Sequence, residues 1–280
     1  MPEKKVTSLV WFRNNLRVID NLSLKKSVEN SDKVIGYINI DPNIIKSTSY
    51  GFKKTEKFRI KFLLESISDL KKQLDRINIS LVVKNEDLKS SINSVISKYK
   101  IDNIYIQKEW TRDELLEEEN IPSNVNLIKD FNQFLFSPSD VSGVYENIPR
   151  GFSNFRKKCE KLLSIDDIVP SPKPLSKTNL INEEYSIPSL SELGYEEFEV
   201  HKDSAFKFLG GETHGIDRVN EYFFESKNLS KYKLTRNGLL GKDYSSKISS
   251  WLANGSLSVK YVYSQVHNNL KLRSNLIPNV

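Results

Sequence analysis

Apolar positions in the first 130 residues fall in short blocks separated by polar, turn-forming stretches. The blocks VTSLVWF (6–12), KVIGYINI (33–40), ISLVVK (79–84), NIYIQ (103–107) and NVNLIK (124–129) have the length and β-branched content of buried strands. Between the second and third, TEKFRIKFLLESISDLKKQL sets Ile60, Leu63, Leu64, Ile67, Leu70 and Leu74 at helical spacing, with lysines and acids opposite. That pattern predicts a long amphipathic helix. EDLKSSINSVISKY predicts another helix before the fourth strand, and TRDELLEEE opens with Thr111 and Glu114 in capping-box spacing. Strands alternating with helices in this way predict an α/β fold, a doubly wound parallel sheet of Rossmann-like architecture.

From Phe136 to Val200 the texture changes. Prolines at 138, 149, 170, 172, 174 and 188 forbid a long helix, and only FSNFRKKCEKLL has helical spacing. A connector of this length is expected to cross from one domain to another. Beyond Asp203 the pattern is helical again. THGIDRVNEYFF places Ile216, Val219, Tyr222 and Phe223 on one face, and SSKISSWLANGSLS and VKYVYSQVHNNL predict two further helices. The chain thus divides into an α/β domain (1–135), a connector (136–200) and the start of an all-α domain (201–280).

Charge and composition narrow the chemistry. The 42 basic against 36 acidic residues leave a net charge of +6, which favours polyanionic partners, although lysine-rich composition produces the same excess without a binding surface. The single cysteine, Cys159, rules out an internal disulfide framework. Among the three histidines, His201, His214 and His267, there is neither metal-ligand spacing nor a Ser/His/Asp grouping. The N-terminus lacks the features of a secretory signal, and no apolar run approaches the roughly 18 residues of a membrane span. A cytoplasmic, soluble protein with no membrane partner is expected. The turn after the first strand, WFRNNLR, contains no glycine, so neither a nicotinamide-binding glycine loop nor a P-loop is present.

One segment carries candidate chemistry. In SSKIS (245–249) a helix start would put Ser245 and Ser246 in the first turn, where N–H groups lack intrahelical acceptors. Ser249 would share the face of Ser245, and Lys247 would add a mobile cation. Hydroxyls, amides and an ammonium together can seat a diphosphate; from these residues alone plain N-capping is the favoured reading. Upstream, Tyr232 and Arg236 stand four apart before an Asn237–Gly238 turn, as an aromatic and a cation near a phosphate site or as ordinary surface residues.

Five segments in order, LVWFRNNLRVIDN, FRIKFLLESISDLKKQL, IPRGFSNFRKK, GGETHGIDRVNEYF and YKLTRNGLLGKDYSSKISSWLANGSLS, resemble the photolyase/cryptochrome family, most of all the DASH-type cryptochromes. The resemblance runs from about residue 6 to 266. It implies an antenna domain joined to a helical domain that holds FAD, and a blue-light-driven lyase that splits cyclobutane pyrimidine dimers, mainly in single-stranded DNA. By position it assigns Tyr232, Ser245, Ser246, Lys247, Ile248 and Ser249 to FAD binding, the serine-lysine run holding the diphosphate. It makes Arg236 a DNA contact and implies methenyltetrahydrofolate as antenna, with Glu65 and Glu109 as candidates for its pocket. A monomer is expected. The family usually carries aspartate where this chain has Asn15. Catalytic and electron-relay residues are expected beyond Val280, so the sequence reads as a C-terminally incomplete member. The alternatives are a photoreceptor or nucleic-acid-binding regulator without repair, or an inactive fragment.

Overall fold

Five short strands, β1 (Thr7–Trp11), β2 (Lys33–Asn39), β3 (Leu81–Lys84), β4 (Asn103–Gln107) and β5 (Asn126–Asp130), form one sheet in the order β3-β2-β1-β4-β5. All four pairings are parallel, with Leu9 opposite both Ile35 and Ile104. The computed structural model describes residues 5–274. Successive side chains of a strand point to opposite faces, and β1 feeds two cores accordingly. Val10 and Phe12 join α1 (Leu22–Glu29) and α2 (Lys57–Arg76) on one face, whereas Leu9 and Trp11 join α3 (Leu88–Tyr99) on the other. Burial on both faces explains why β1 to β4 read as continuous apolar runs rather than as alternating ones, whereas the edge strand β5, expected to be buried too, has no buried residue.

Before residue 200 the predicted helices form where the spacing puts them, α1 stands where the spacing predicts none, and there are two further differences. In α4 (Arg112–Glu118) Thr111 occupies the N-cap position, but its side chain makes no capping hydrogen bond. The capping box is not formed. Arg13, in the loop after β1, donates to the carbonyl of Glu114 and to the Glu118 carboxylate at 3.0 Å each. The second difference is an additional helix, α5 (Pro138–Val144), ahead of α6 (Phe152–Leu162). The proline-rich stretch that follows is no free spacer. Leu190, Leu193 and Tyr195 are buried in the α2-side core, and Leu175, Ile187 and Phe198 pack against it. Cys159 is buried and free.

The C-terminal part comprises α7 (Glu212–Asn220), α8 (Tyr232–Thr235), α9 (Ser249–Ala253) and α10 (Val259–Ser274), with a π-helical turn over Glu221–Glu225 extending α7. Val219, Tyr222, Phe223, Trp251 and Leu257 form a third core. Trp251 lies 5.6 Å from the rings of Phe62, Phe206 and Phe208, so α2 faces two cores at once: Ile60 and Ile67 toward the sheet, Phe62 toward Trp251. The helix expected from Ser245 is cut to a single turn starting at Ser249. Among the described residues no helix is long and apolar enough to cross a membrane, and no cluster of three His, Cys, Asp or Glu side chains is arranged for a metal.

Candidate functional site

The segment before α9 is a loop whose shape is set by Arg218 of α7. Its guanidinium is buried between the rings of Phe208 and Tyr222, at 4.7 and 5.0 Å. In the plane it donates to the carbonyls of Lys242 (2.8 Å), Ser245 (3.2 Å) and Ser246 (3.0 Å) and to the carboxylates of Glu221 (2.9 Å) and Asp243 (3.2 Å). A planar fork with donors in fixed directions suits such a set of acceptors. Carbonyls turned toward Arg218 leave the amides on the other side of the chain. Among the described residues, the N–H groups and hydroxyls of Ser245 and Ser246 and the N–H of Lys247 donate to no protein acceptor.

Lys247 lies in the left-handed region, with φ of 61°, and Ile248 follows in the right-handed one. Consecutive residues of opposite hand turn successive N–H groups toward a common concavity that suits an anion. The helix-dipole reasoning for this segment falls away, because Ser245 and Ser246 precede the helix rather than open it. Their donors are free because the loop is not helical. Lys247 folds its ammonium over the Tyr244 ring, 3.4 Å from the centroid. The neighbouring turn is pinned to the same loop: Thr235 donates through its hydroxyl to the Tyr244 carbonyl at 2.9 Å, and the Gly238 N–H returns to the Thr235 carbonyl. A Cβ on Gly238 would stand 2.9 Å from that of Tyr244. Tyr232 and Arg236 lie at the two ends of α8, both exposed, joined by the Arg236 N–H to the Tyr232 carbonyl.

A cavity of about 1140 Å³ opens at the carboxyl ends of β1 and β2, between the sheet, α2 and the aromatic segment before α7. Open parallel sheets bind ligands at this end. Trp11, Phe58, Phe62 and Phe206 supply apolar walls, and Arg13, Lys61 and Glu65 supply charge. Glu65 accepts from Lys61 at 2.6 Å and from the Gly210 N–H at 2.8 Å. Glu109 does not line this cavity; it is buried and takes the Gln107 and Gln133 side-chain amides at 2.9 and 3.3 Å. The structure therefore does not bring the two glutamates together in this cavity. Burial pushes the neighbouring Glu117 carboxyl up despite Arg13 nearby.

The loop after β1 joins the two halves. Glu212, first residue of α7, accepts from the N–H groups of Val18 (2.8 Å) and Ile19 (2.9 Å) and from Gln73 (3.0 Å). Arg17, buried, donates to the carbonyls of Asp20, Gly255 and Asn132. Asp20 pairs with Lys260 of α10 at 3.1 Å and accepts from Ser258. Asn15, in place of the aspartate expected there, forms no ion pair; its carbonyl oxygen caps the Arg13 N–H at 3.0 Å. Arg218 and Glu212 escape sequence reading as site residues. Their only signal is a charged residue set beside the apolar face of a helix, and apart from Glu221, three residues beyond Arg218, their hydrogen-bond partners lie 24 or more residues away in the chain.

The DNA photolyase family model matches residues 8–175. Cryptochrome DASH of Gloeobacter violaceus is 36% identical over 265 residues, covering 93% of this chain and 53% of the relative. The chloroplastic/mitochondrial cryptochrome DASH of Arabidopsis thaliana is 31% identical over 277 residues, covering 96% and 48%. The crystal structure of a Synechocystis cryptochrome superposes with a TM-score of 0.88 at 31% identity, over 98% of this chain and 57% of that one. The chain spans about half the length of the curated relatives it matches. On the family match and the shared architecture, this chain belongs to the DNA photolyase family.

Proposed function

We propose that this chain carries the antenna unit and the flavin-diphosphate seat of a blue-light-dependent protein of the cryptochrome DASH type that repairs cyclobutane pyrimidine dimers, preferentially in single-stranded DNA. The observation that supports this most directly is the row of unclaimed donors at Ser245, Ser246 and Lys247 on a loop clamped from behind by Arg218. Neutral hydroxyls, amides and a lysine fit the donor set a diphosphate requires. In this reading Ser245, Ser246, Lys247, Ile248 and Ser249 bind the FAD diphosphate and Tyr232 packs against the cofactor. When bound there, reduced FAD would on photoexcitation lend the electron that opens the dimer and regain it once the ring has split. Arg236, exposed beside the loop, contacts a DNA phosphate.

A folate antenna belongs to the same proposal. The cavity has aromatic walls and a carboxylate, Glu65, at its margin, and Glu109 lies on the loop after β4. The division into an antenna domain through residue 135, a connector through 200 and a helical domain from 201 is adopted with it, as are a monomeric state and a cytoplasmic location.

The test is the visible spectrum of the 280-residue chain expressed with added FAD and passed through gel filtration. A structured flavin band that co-elutes with the protein is expected. A colourless protein overturns flavin binding by this chain. Where flavin is held, Ser246→Ala with Lys247→Glu should lower its occupancy at least tenfold, because a carboxylate then faces the diphosphate. Loss of dimers from an irradiated oligothymidylate under blue light is the expected repair readout; bound flavin without dimer loss fits a photoreceptor instead.

A further inference from the structure

We infer that Arg218 is the positioning residue of the flavin-diphosphate seat: it draws the carbonyls of Lys242, Ser245 and Ser246 inward and so presents the N–H groups of Ser246 and Lys247 to the phosphates. The inference rests on the reading of residues 245–249 as that seat. The Arg218 guanidinium is stacked between Phe208 and Tyr222, and its in-plane donors end on protein acceptors, three backbone carbonyls and two carboxylates.

Three features separate this from a generic buried arginine. The acceptors are main-chain oxygens of the very residues whose amides lie unclaimed, so the side chain sets peptide orientation rather than side-chain packing. The peptide planes are rigid; holding the oxygen of Ser245 on the Arg218 side points the N–H of Ser246 away from it, and the Ser246 oxygen does the same for the N–H of Lys247. The left-handed conformation of Lys247 costs a non-glycine residue on the order of 1 kcal/mol, and the Arg218 bond to the preceding carbonyl helps to hold it. Finally, Glu221 and Asp243 lie against the guanidinium, so its role at the seat is geometric more than electrostatic. A lysine at 218 could keep the charge but could not span three carbonyls.

The experiment combines FAD binding to the full chain with amide hydrogen exchange over residues 240–250 in saturating inorganic pyrophosphate, for the unchanged protein, Arg218→Lys and Arg218→Gln. In the unchanged chain pyrophosphate should protect the 245–248 amides, which have no acceptor among the described residues. Both variants should lose most of that protection and weaken FAD at least tenfold, with exchange in β1, β2 and α2 unaltered. Restoration of FAD affinity by Arg218→Lys would show a charge effect and overturn the geometric role, as would full pyrophosphate protection in either variant. Asp243→Asn removes a half-exposed partner of the guanidinium without emptying the core. If the Arg218 variants do not fold, it should still lower the protection several-fold, and no change there overturns the inference. Absence of protection in the unchanged chain overturns instead the diphosphate reading beneath the inference, and with it the function inferred for Arg218.

Discussion

Glu212 is a carboxylate required to sit in a dry interface. Burial pushes its pKa up to about 7, against the opposing pull of the Val18 and Ile19 N–H groups and of Arg17, while Asp69 adds to the rise. The ordinary value is 4.5, so the folded chain holds this proton more tightly than the unfolded one. Stability from this group is therefore full below the ordinary carboxyl range and is lost as pH rises through about 7, by on the order of 3 kcal/mol at the limit. Urea midpoints between pH 5 and 8 should fall with pH in the unchanged chain and stay nearly level in Glu212→Gln. A parallel decline in both proteins would place the pH dependence elsewhere.

At the scale of elements, close backbone approaches set where the helical part docks. Gly255, with φ of 67°, lies so near the β1–α1 loop that a Cβ would stand 1.9 Å from the Asn14 carbonyl oxygen. Gly51 has φ of 84° but open space around it. Gly51→Ala should cost about 1 kcal/mol from backbone strain alone. Gly255→Ala should cost more than about 3 kcal/mol, because the turn must withdraw from the loop that Arg17 and Glu212 hold. Chemical denaturation of the two variants side by side measures the difference, and equal losses would sink the argument. The same logic governs α9: its late start at Ser249 follows from a side chain on α7, not from any weakness of the serines as helix formers.

For the whole molecule, α2 is the common wall. Its inward residues complete the sheet's core, while Phe62 meets Trp251 at 5.6 Å. Phe62→Ala should destabilise the chain by about 2 kcal/mol, less than for a fully buried phenylalanine. It should shift Trp251 emission to the red as water enters the third core. Trp11 and Trp110 also emit, so the comparison needs a background with both replaced by phenylalanine. Unchanged emission there would mean that Phe62 does not shield Trp251.

Local periodicity was enough to determine the five strands, the long helix α2 and the helical run ending in Phe223, because each depends on residues within a few positions of one another. The order of motifs was enough to identify the family. The tertiary structure alone decided that Ser245 and Ser246 precede a helix rather than open it. Arg218 and Ser246 are 28 residues apart, and Glu212 and Val18 are 194 apart; no window of sequence contains such pairs. Thr111 and Glu114 had capping-box spacing, yet the Thr111 side chain makes no capping hydrogen bond. The connector was expected to cross the face of one domain, and only the fold shows that its scattered apolar residues join the core on the α2 side. Spacing along the chain encodes the period of an element, whereas the partners of a buried charge are chosen only when distant elements close around it.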